Sequence, residues 1–332
     1  HLAHLVSRAV SGVSLVIAEA SAVTPEGRIT PRDLGIWSDD HIRPHARLAA
    51  AIAAVGAVPA IQLAHAGRKA SRRPPWETGA ADPGWQTLGP SEVAFEGFAT
   101  PRAMSEDDIA ATIAAFVAAA RRSVQAGYRM IELHGAHGYL MHSFLSPLSN
   151  RRNDRWGGDF EGRTRFACET ARAVRAAIPE DMPLVMRISH SDWVEGGWTT
   201  EESVELARRL KALGVDAIDV SSGGNSAAQK IPLGPGYQVP GAAAVRSGAD
   251  VPVLAVGMIT EPEQAQAIVA EGMADMVLLA RGFLREPYWA MKAAVALGRA
   301  DALAIPPQYE RGWSSLGAMA MDRAVSEPLP AL

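Results

Sequence analysis

Apolar positions recur at two alternating periods from the start of the chain to about residue 297. Residues 2–10 carry the three-to-four spacing of an amphipathic helix, and 13–18 follow as an apolar run, the mark of a strand buried on both faces. The pair of signals then repeats. A helix over 42–55 closes at Gly56 before a strand over 58–63, and a helix from Ser105 to Ala126 closes at Gly127 before a strand over 129–133. Helix 160–178 precedes strand 184–188, and helix 200–213 stops at Gly214 before strand 217–220. Helix 240–246, strand 251–256, helix 261–270 and strand 275–279 complete the series, with helical residues out to 297. Local chemistry agrees with these bounds: Ser38 is a good N-cap, and Ser105 with Asp108 has capping-box spacing, although Asp is a poorer partner than Glu.

Seven strands, each followed by helical material, predict a parallel sheet with right-handed crossovers. Seven is one short of a TIM (β/α)8 barrel, and the chain opens on the helix that should follow strand one. The α/β fold expected is therefore that barrel with its first strand absent from this sequence. An open doubly wound sheet is the alternative, disfavoured because no G-x-G-x-x-G follows any strand. Residues 1–313 make the barrel, with a long insertion at about 64–104, and 314–332 make a tail whose Pro328, Pro330 and charges argue for a mobile extension. An insertion of that length is usually functional, often a lid; the other reading is a passive excursion that packs its tryptophans on the barrel rim.

Composition narrows the function classes. With 332 residues, 48% hydrophobic and 20% charged, the chain can bury one large core and has no low-complexity segment. A net charge of −4 gives no electrostatic reason to expect nucleic acid or an anionic membrane as partner. The nearly apolar run 109–120 is too short to span a bilayer, and no secretory signal opens the sequence, so the expected location is cytoplasmic. The chain begins with His rather than Met, which reads as a start that is not native. Cys168, the single cysteine, falls mid-helix at an apolar position and reads as an inert core thiol.

The chemistry concentrates in Ile131-Glu132-Leu133-His134-Gly135-Ala136-His137-Gly138-Tyr139-Leu140. His134, His137 and Tyr139 fall at or just past the carboxyl end of a strand, where the loops of an α/β barrel converge on one mouth. The H-x-x-H spacing could serve a metal, but a third ligand is not obvious even with His142 nearby, and no metal is expected. A plainer reading makes both histidines ordinary hydrogen-bonded loop residues. A third has the two imidazoles donate to a carbonyl or phenolate oxygen, stabilising the charge that develops as a hydride adds to a conjugated alkene, with Tyr139 delivering the proton. That reading needs a hydride donor, and no side chain is one. Arg187 lies inside an apolar strand and must be paired or must reach an anion, because burying it alone is costly. Loops at Gly257 and at Ala280-Arg281-Gly282, after the last two strands, sit where such barrels often bind a phosphate.

Three stretches together, Gln62-Leu63-Ala64-His65-Ala66-Gly67-Arg68, then Glu132 to Leu140, then Ser143-Phe144-Leu145-Ser146-Pro147 with Asn150-Arg151-Arg152 and Asp154 to Gly158, resemble the Old Yellow Enzyme family of FMN-dependent ene-reductases. The resemblance runs from the first helix to Trp313. His65 to Lys69, and the ending Gln308-Tyr309-Glu310-Arg311-Gly312-Trp313, look like its bacterial subclass sometimes called thermophilic-like. The resemblance implies that Ala20 and Gln62 touch the pyrimidine side of the flavin and that Arg187 approaches its N1/O2 edge. It implies that Gly257, Ala280 and Arg281 hold the FMN phosphate, that His134 and His137 grip the substrate oxygen, and that Tyr139 donates the proton. NAD(P)H is then the reductant, an activated alkene the substrate, and Arg311 a residue that reaches a neighbouring subunit of a homo-oligomer, dimer or tetramer. The family's first strand and following loop carry flavin contacts, including in this subclass a cysteine and a tyrosine, and these are not in this sequence. Two other readings stand beside it: a flavin-free barrel aldolase or isomerase, weakened by the lack of a well-placed strand lysine, and a non-catalytic binding or assembly protein.

Overall fold

The computed structural model describes residues 1–78, 82–303, 306–309 and 311. Helix α1 (Leu2–Ala9) precedes β1 (Leu15–Ala22), and α2 (Ile42–Ala53) precedes β2 (Val58–Ala64). The insertion holds two short strands, β3 (Leu88–Gly89) and β4 (Arg102–Ala103), before α3 (Glu106–Gln125) and β5 (Met130–Gly135). Then come α4 (Leu140–Leu145), α5 (Phe160–Arg175), β6 (Leu184–Ser189), α6 (Thr200–Ala212), β7 (Ala217–Ser221) and α7 (Val239–Ala249). The described chain closes with β8 (Val253–Ala255), α8 (Pro262–Ala270), β9 (Met276–Val277), α9 (Arg281–Arg285) and α10 (Trp289–Ala296).

Seven of these strands form one sheet in the order β1-β2-β5-β6-β7-β8-β9, every neighbouring pair parallel. This is the α/β barrel architecture that the alternation predicts. Along β5 the reason for an unbroken apolar reading is plain: successive side chains point to opposite faces, and both faces are buried. Ile131 and Leu133 join Phe116, Ala120, Phe166 and Leu184 in the layer between sheet and helices. Met130 faces inward and packs with Ala60, Val185 and Leu254 in a smaller apolar layer that floors the barrel. Glu132 and His134, two and four residues on, share that inward face.

The helix boundaries follow the caps. Ser105 and Asp108 make the expected capping box at α3, and Thr199 with Glu202 makes another at α6. Ser38 caps a single 3-10 turn, Asp39–His41, which runs on into α2. The last strand is shorter than the 275–279 expected, because β9 pairs on one side only and Asp275 spends its carboxylate on Arg246 and the Val253 N–H. Two-residue strands such as β3 and β4 are too short to show a period, and the sequence pattern did not foresee them. Of the insertion's tryptophans, Trp85 docks on the rim, donating Nε1–H to the Glu26 carbonyl at 3.0 Å, whereas Trp76 is 71% exposed. The tail expected at 314–332 lies outside the described residues.

The sheet curls without pairing its two ends. β1 and β9 flank a cavity of about 610 Å³, lined by Leu15, Ile17 and Ala18 on one side and Met276, Val277 and Leu278 on the other. Arg8 of α1 reaches across this side of the molecule and donates to the Phe283 carbonyl of α9 at 3.0 and 3.1 Å. The gap falls where an eighth strand would complete the barrel.

Candidate active site

The three aromatic groups singled out at the end of β5 come together. The rings of His134 and His137 are 5.2 Å apart at 82°, those of His134 and Tyr139 5.0 Å apart at 76°, and those of His137 and Tyr139 6.5 Å apart at 87°. Burial, reinforced by Arg187, holds the His134 imidazole well below its ordinary range. For His137 burial is again the largest cause, followed by His134 and Arg187. Both rings are therefore neutral at pH 7, each with one N–H to give. Burial, with a smaller contribution from Asp33, pushes the Tyr139 phenol above 10.0, so it keeps its proton. Two neutral donors and one protonated phenol are the protonation states that oxygen binding and proton delivery require.

This loop is held by its neighbours rather than by regular structure. His137 adopts φ of +61°, an unfavourable conformation for a side chain of its size. Its N–H donates to Ser189 Oγ at 3.0 Å, and its carbonyl accepts from Lys69 Nζ at 2.8 Å. Lys69 also reaches the Gly224 carbonyl at 2.8 Å, and Arg68 donates to Asn225 Oδ1 at 2.8 Å, so the loops after β2, β5 and β7 are tied together. Burial, then the adjacent Arg68, pushes the Lys69 ammonium down to about 8. Gly138 and Gly224 interdigitate: a Cβ on Gly138 would stand 2.3 Å from the Gly224 carbonyl oxygen, and both have positive φ. His142 accepts the Gly138 N–H on Nδ1 at 2.9 Å, which leaves its proton on Nε2, 3.0 Å from Asp192 Oδ1. Burial alone would raise Asp192, but His142, Ser146 and the Trp198 N–H outweigh it and hold the carboxyl below its usual range.

One step below lies a polar row that spans four strands. Sheet register sets Gln62 beside Glu132, and places His134, Arg187 and Asp219 side by side on β5, β6 and β7. Gln62 Nε2 donates to Glu132 Oε1 at 2.6 Å, and Arg187 Nε stands 3.2 Å from Asp219 Oδ2. Arg187, half-buried rather than enclosed, thus has its anion within the protein. Gln62, Glu132, Arg187 and Ala20 all line the cavity between β1 and β9.

The expected phosphate ligands are less converged. Ala280 lines the cavity, and Gly257 follows Val256, which lines it too. Arg281 opens α9, is exposed and is not among the lining residues. Arg311 is exposed near the end of the described residues and does not line the cavity either. Asp219, Ser221 and the His142–Asp192 pair were not singled out from sequence. Asp219 carried a usable signal, a carboxylate inside an apolar strand like the guanidinium of Arg187; Ser221 carried none, and His142 stood out only as a neighbour of the H-x-x-H pair. Cys168 lies in α5, where burial pushes its thiol up to about 11, as an inert thiol would be.

Known proteins match this chain over most of its length. The profile of the NADH:flavin oxidoreductase / NADH oxidase family matches residues 1–300. An NADPH dehydrogenase of a Geobacillus species (strain WCH70) is 48% identical over 314 residues, covering 94% of this chain and 88% of that one. The NADPH dehydrogenase of Bacillus subtilis (strain 168) is 44% identical with the same coverage. Among solved structures, a 2-naphthoyl-CoA reductase in complex with 2-naphthoyl-CoA superimposes with a TM-score of 0.80 at 28% identity; the match covers 91% of this chain but only 47% of that larger one. Morphinone reductase in complex with tetrahydroNAD gives 0.73 at 24% identity, over 90% and 82% of the two chains, a likeness of fold.

Proposed function

This chain belongs to the NADH:flavin oxidoreductase / NADH oxidase family, the Old Yellow Enzyme group of FMN-dependent, NAD(P)H-consuming oxidoreductases, and from that premise we propose that it reduces the activated carbon–carbon double bond of an α,β-unsaturated carbonyl compound or a related electron-poor alkene. The residues present fit the cofactor. A cavity of about 610 Å³ lies within the range of small-molecule and cofactor sites. Its wall combines small residues, Ala20 and Ala280, with the polar Gln62 and Arg187, and is otherwise mostly apolar. Ala20, Gln62 and Arg187 would meet the ring, and Gly257, Ala280 and Arg281 the phosphate. Bound FMN supplies the hydride relay between NAD(P)H and the alkene. Arg311 is the residue proposed to reach a neighbouring copy in a homo-oligomer.

The observation that carries the proposal is the convergence of His134, His137 and Tyr139 at the mouth end of β5, with His134 in register beside Arg187 of the cavity wall. The neutral imidazoles polarise the substrate oxygen and stabilise the negative charge that grows on it. Tyr139, kept protonated by burial, delivers its proton to the neighbouring carbon. The test is half-reaction kinetics of Tyr139→Phe. Reduction by NAD(P)H should change little, whereas reoxidation by an enone should slow by about 10²-fold or more. Equal losses in both halves would remove Tyr139 from the proton-transfer role, and a purified chain that neither retains FMN nor reduces an enone would remove the reading itself.

A further inference from the structure

The interior of the barrel contains a charged group that the proposed reaction does not use. Glu132 and Asp219 are both fully buried, and the two carboxyls face one interior space behind Arg187. Among the described residues, Glu132 Oε2 and both oxygens of Asp219 are buried with no hydrogen-bond partner, although Arg187 Nε stands 3.2 Å from Asp219 Oδ2. Two ionised carboxylates offer only acceptors to each other and one guanidinium balances only one of them, so a proton on one carboxyl both removes the unbalanced charge and supplies a donor.

We propose that Glu132 and Asp219 share one proton and act as positioning residues for Arg187, holding its guanidinium toward the cavity with a single negative charge behind it. With one proton the cluster of two carboxyls and one guanidinium is neutral; with none it carries a buried net charge of −1. The proton sits on Glu132, because Asp219 is the partner of Arg187 and keeps the charge, while the Gln62 amide donates to the other Glu132 oxygen. Pairing through Nε leaves the terminal nitrogens as the part of Arg187 that can meet a ligand. Burial first, then Asp219, pushes Glu132 up to about 8 against the opposing pull of Arg187 and Gln62, and burial likewise raises Asp219. These are the groups that face the pair from β2, β5, β6 and β7; His134, further along the same face of β5, is neutral.

The positioning role rests on the cavity being the flavin site, so the experiment separates the two. Infrared spectroscopy of the wild-type holoprotein should show, at neutral pH, a protonated-carboxyl C=O stretch that shifts on ¹³C-glutamate labelling, disappears at alkaline pH and is missing in Glu132→Gln. FMN affinity and the pH dependence of the flavin midpoint potential are read on the same samples. Glu132→Gln, which mimics the protonated state, should lose the alkaline change in potential. Asp219→Asn, which releases Arg187, should weaken FMN binding by at least about tenfold. No carboxyl band in wild type at neutral pH would overturn the shared proton, without any variant having to fold. A band present but FMN affinity and potential unchanged in Asp219→Asn would overturn the positioning role. A wild-type chain that retains no FMN would remove the flavin reading and the positioning role together, while the infrared measurement still decides the proton.

Discussion

At Ser221 the hydroxyl decides which side of His137 carries the ring proton. Ser221 Oγ lies 2.7 Å from His137 Nε2 and 3.2 Å from Gln238 Oε1, and that same amide oxygen already accepts from Ser222 at 2.7 Å. If Ser221 gives its single proton to the imidazole at 2.7 Å rather than to Gln238 Oε1 at 3.2 Å, the proton of His137 is left on Nδ1, as a donor for substrate. Removing the hydroxyl in Ser221→Ala frees the ring to take the other tautomer, and kcat/KM for the alkene should fall by at least about tenfold, with NAD(P)H oxidation less affected. An unchanged kcat/KM would dismiss the assignment. Glu132 makes a separate prediction about stability. Its carboxyl titrates near 8 when folded and close to its ordinary value of about 4.3 when unfolded, so the folded state binds the extra proton between those values. Stability must then fall as pH rises through that window and level off above about 8. Urea denaturation should show Glu132→Gln gaining stability relative to wild type across the same window, and a difference independent of pH would contradict it.

Elements deliver these side chains, but loops hold them. β5 brings Glu132 and His134 to the interior by simple alternation, whereas His137 and Tyr139 depend on tethers from the loops after β2 and β7, from Ser189 at the end of β6 and from α4. The His142–Asp192 contact is the deepest of these, with both side chains fully buried. Asp192→Ala leaves the buried donors of His142, Ser146 and the Trp198 N–H without an acceptor, and denaturation should register a loss of about 3 kcal/mol or more. Losses below about 1 kcal/mol would mean that the pair is not coupled to folding. Helix ends were legible in the sequence, because a cap such as Ser105 with Asp108 lies within four residues of what it caps. The tethers were not: Lys69 meets Gly224 across 155 residues, and nothing in the local pattern announces such a pair.

For the molecule as a whole, the decisive feature is that β1 and β9 do not pair and that a cavity lies between them. Each edge carries backbone donors and acceptors that a closed barrel would satisfy. A ligand seated in that cavity contacts both ends of the sheet and binds only the folded chain. FMN at a hundred times its Kd should therefore stabilise the protein by about 2.7 kcal/mol, seen as a rise in Tm that grows with FMN concentration. A Tm insensitive to FMN would place the cofactor elsewhere or nowhere on this chain.

The number and order of the seven strands, their parallel pairing and the mouth at which the chemistry gathers were determined by the sequence alone, because periodicity and capping are properties of neighbouring residues. The long ordered motifs around His65 and His134 likewise carried the family. Tertiary structure decided what Arg187 pairs with, which loops restrain His137, and that Glu132 and Asp219 meet in one buried space. Gln62, Glu132, Arg187 and Asp219 come from four strands, and their contacts exist only once register has set those strands side by side. In the unfolded chain each carboxyl has water for a partner; inside the barrel it has the other carboxyl, and that difference in solvation moves the proton.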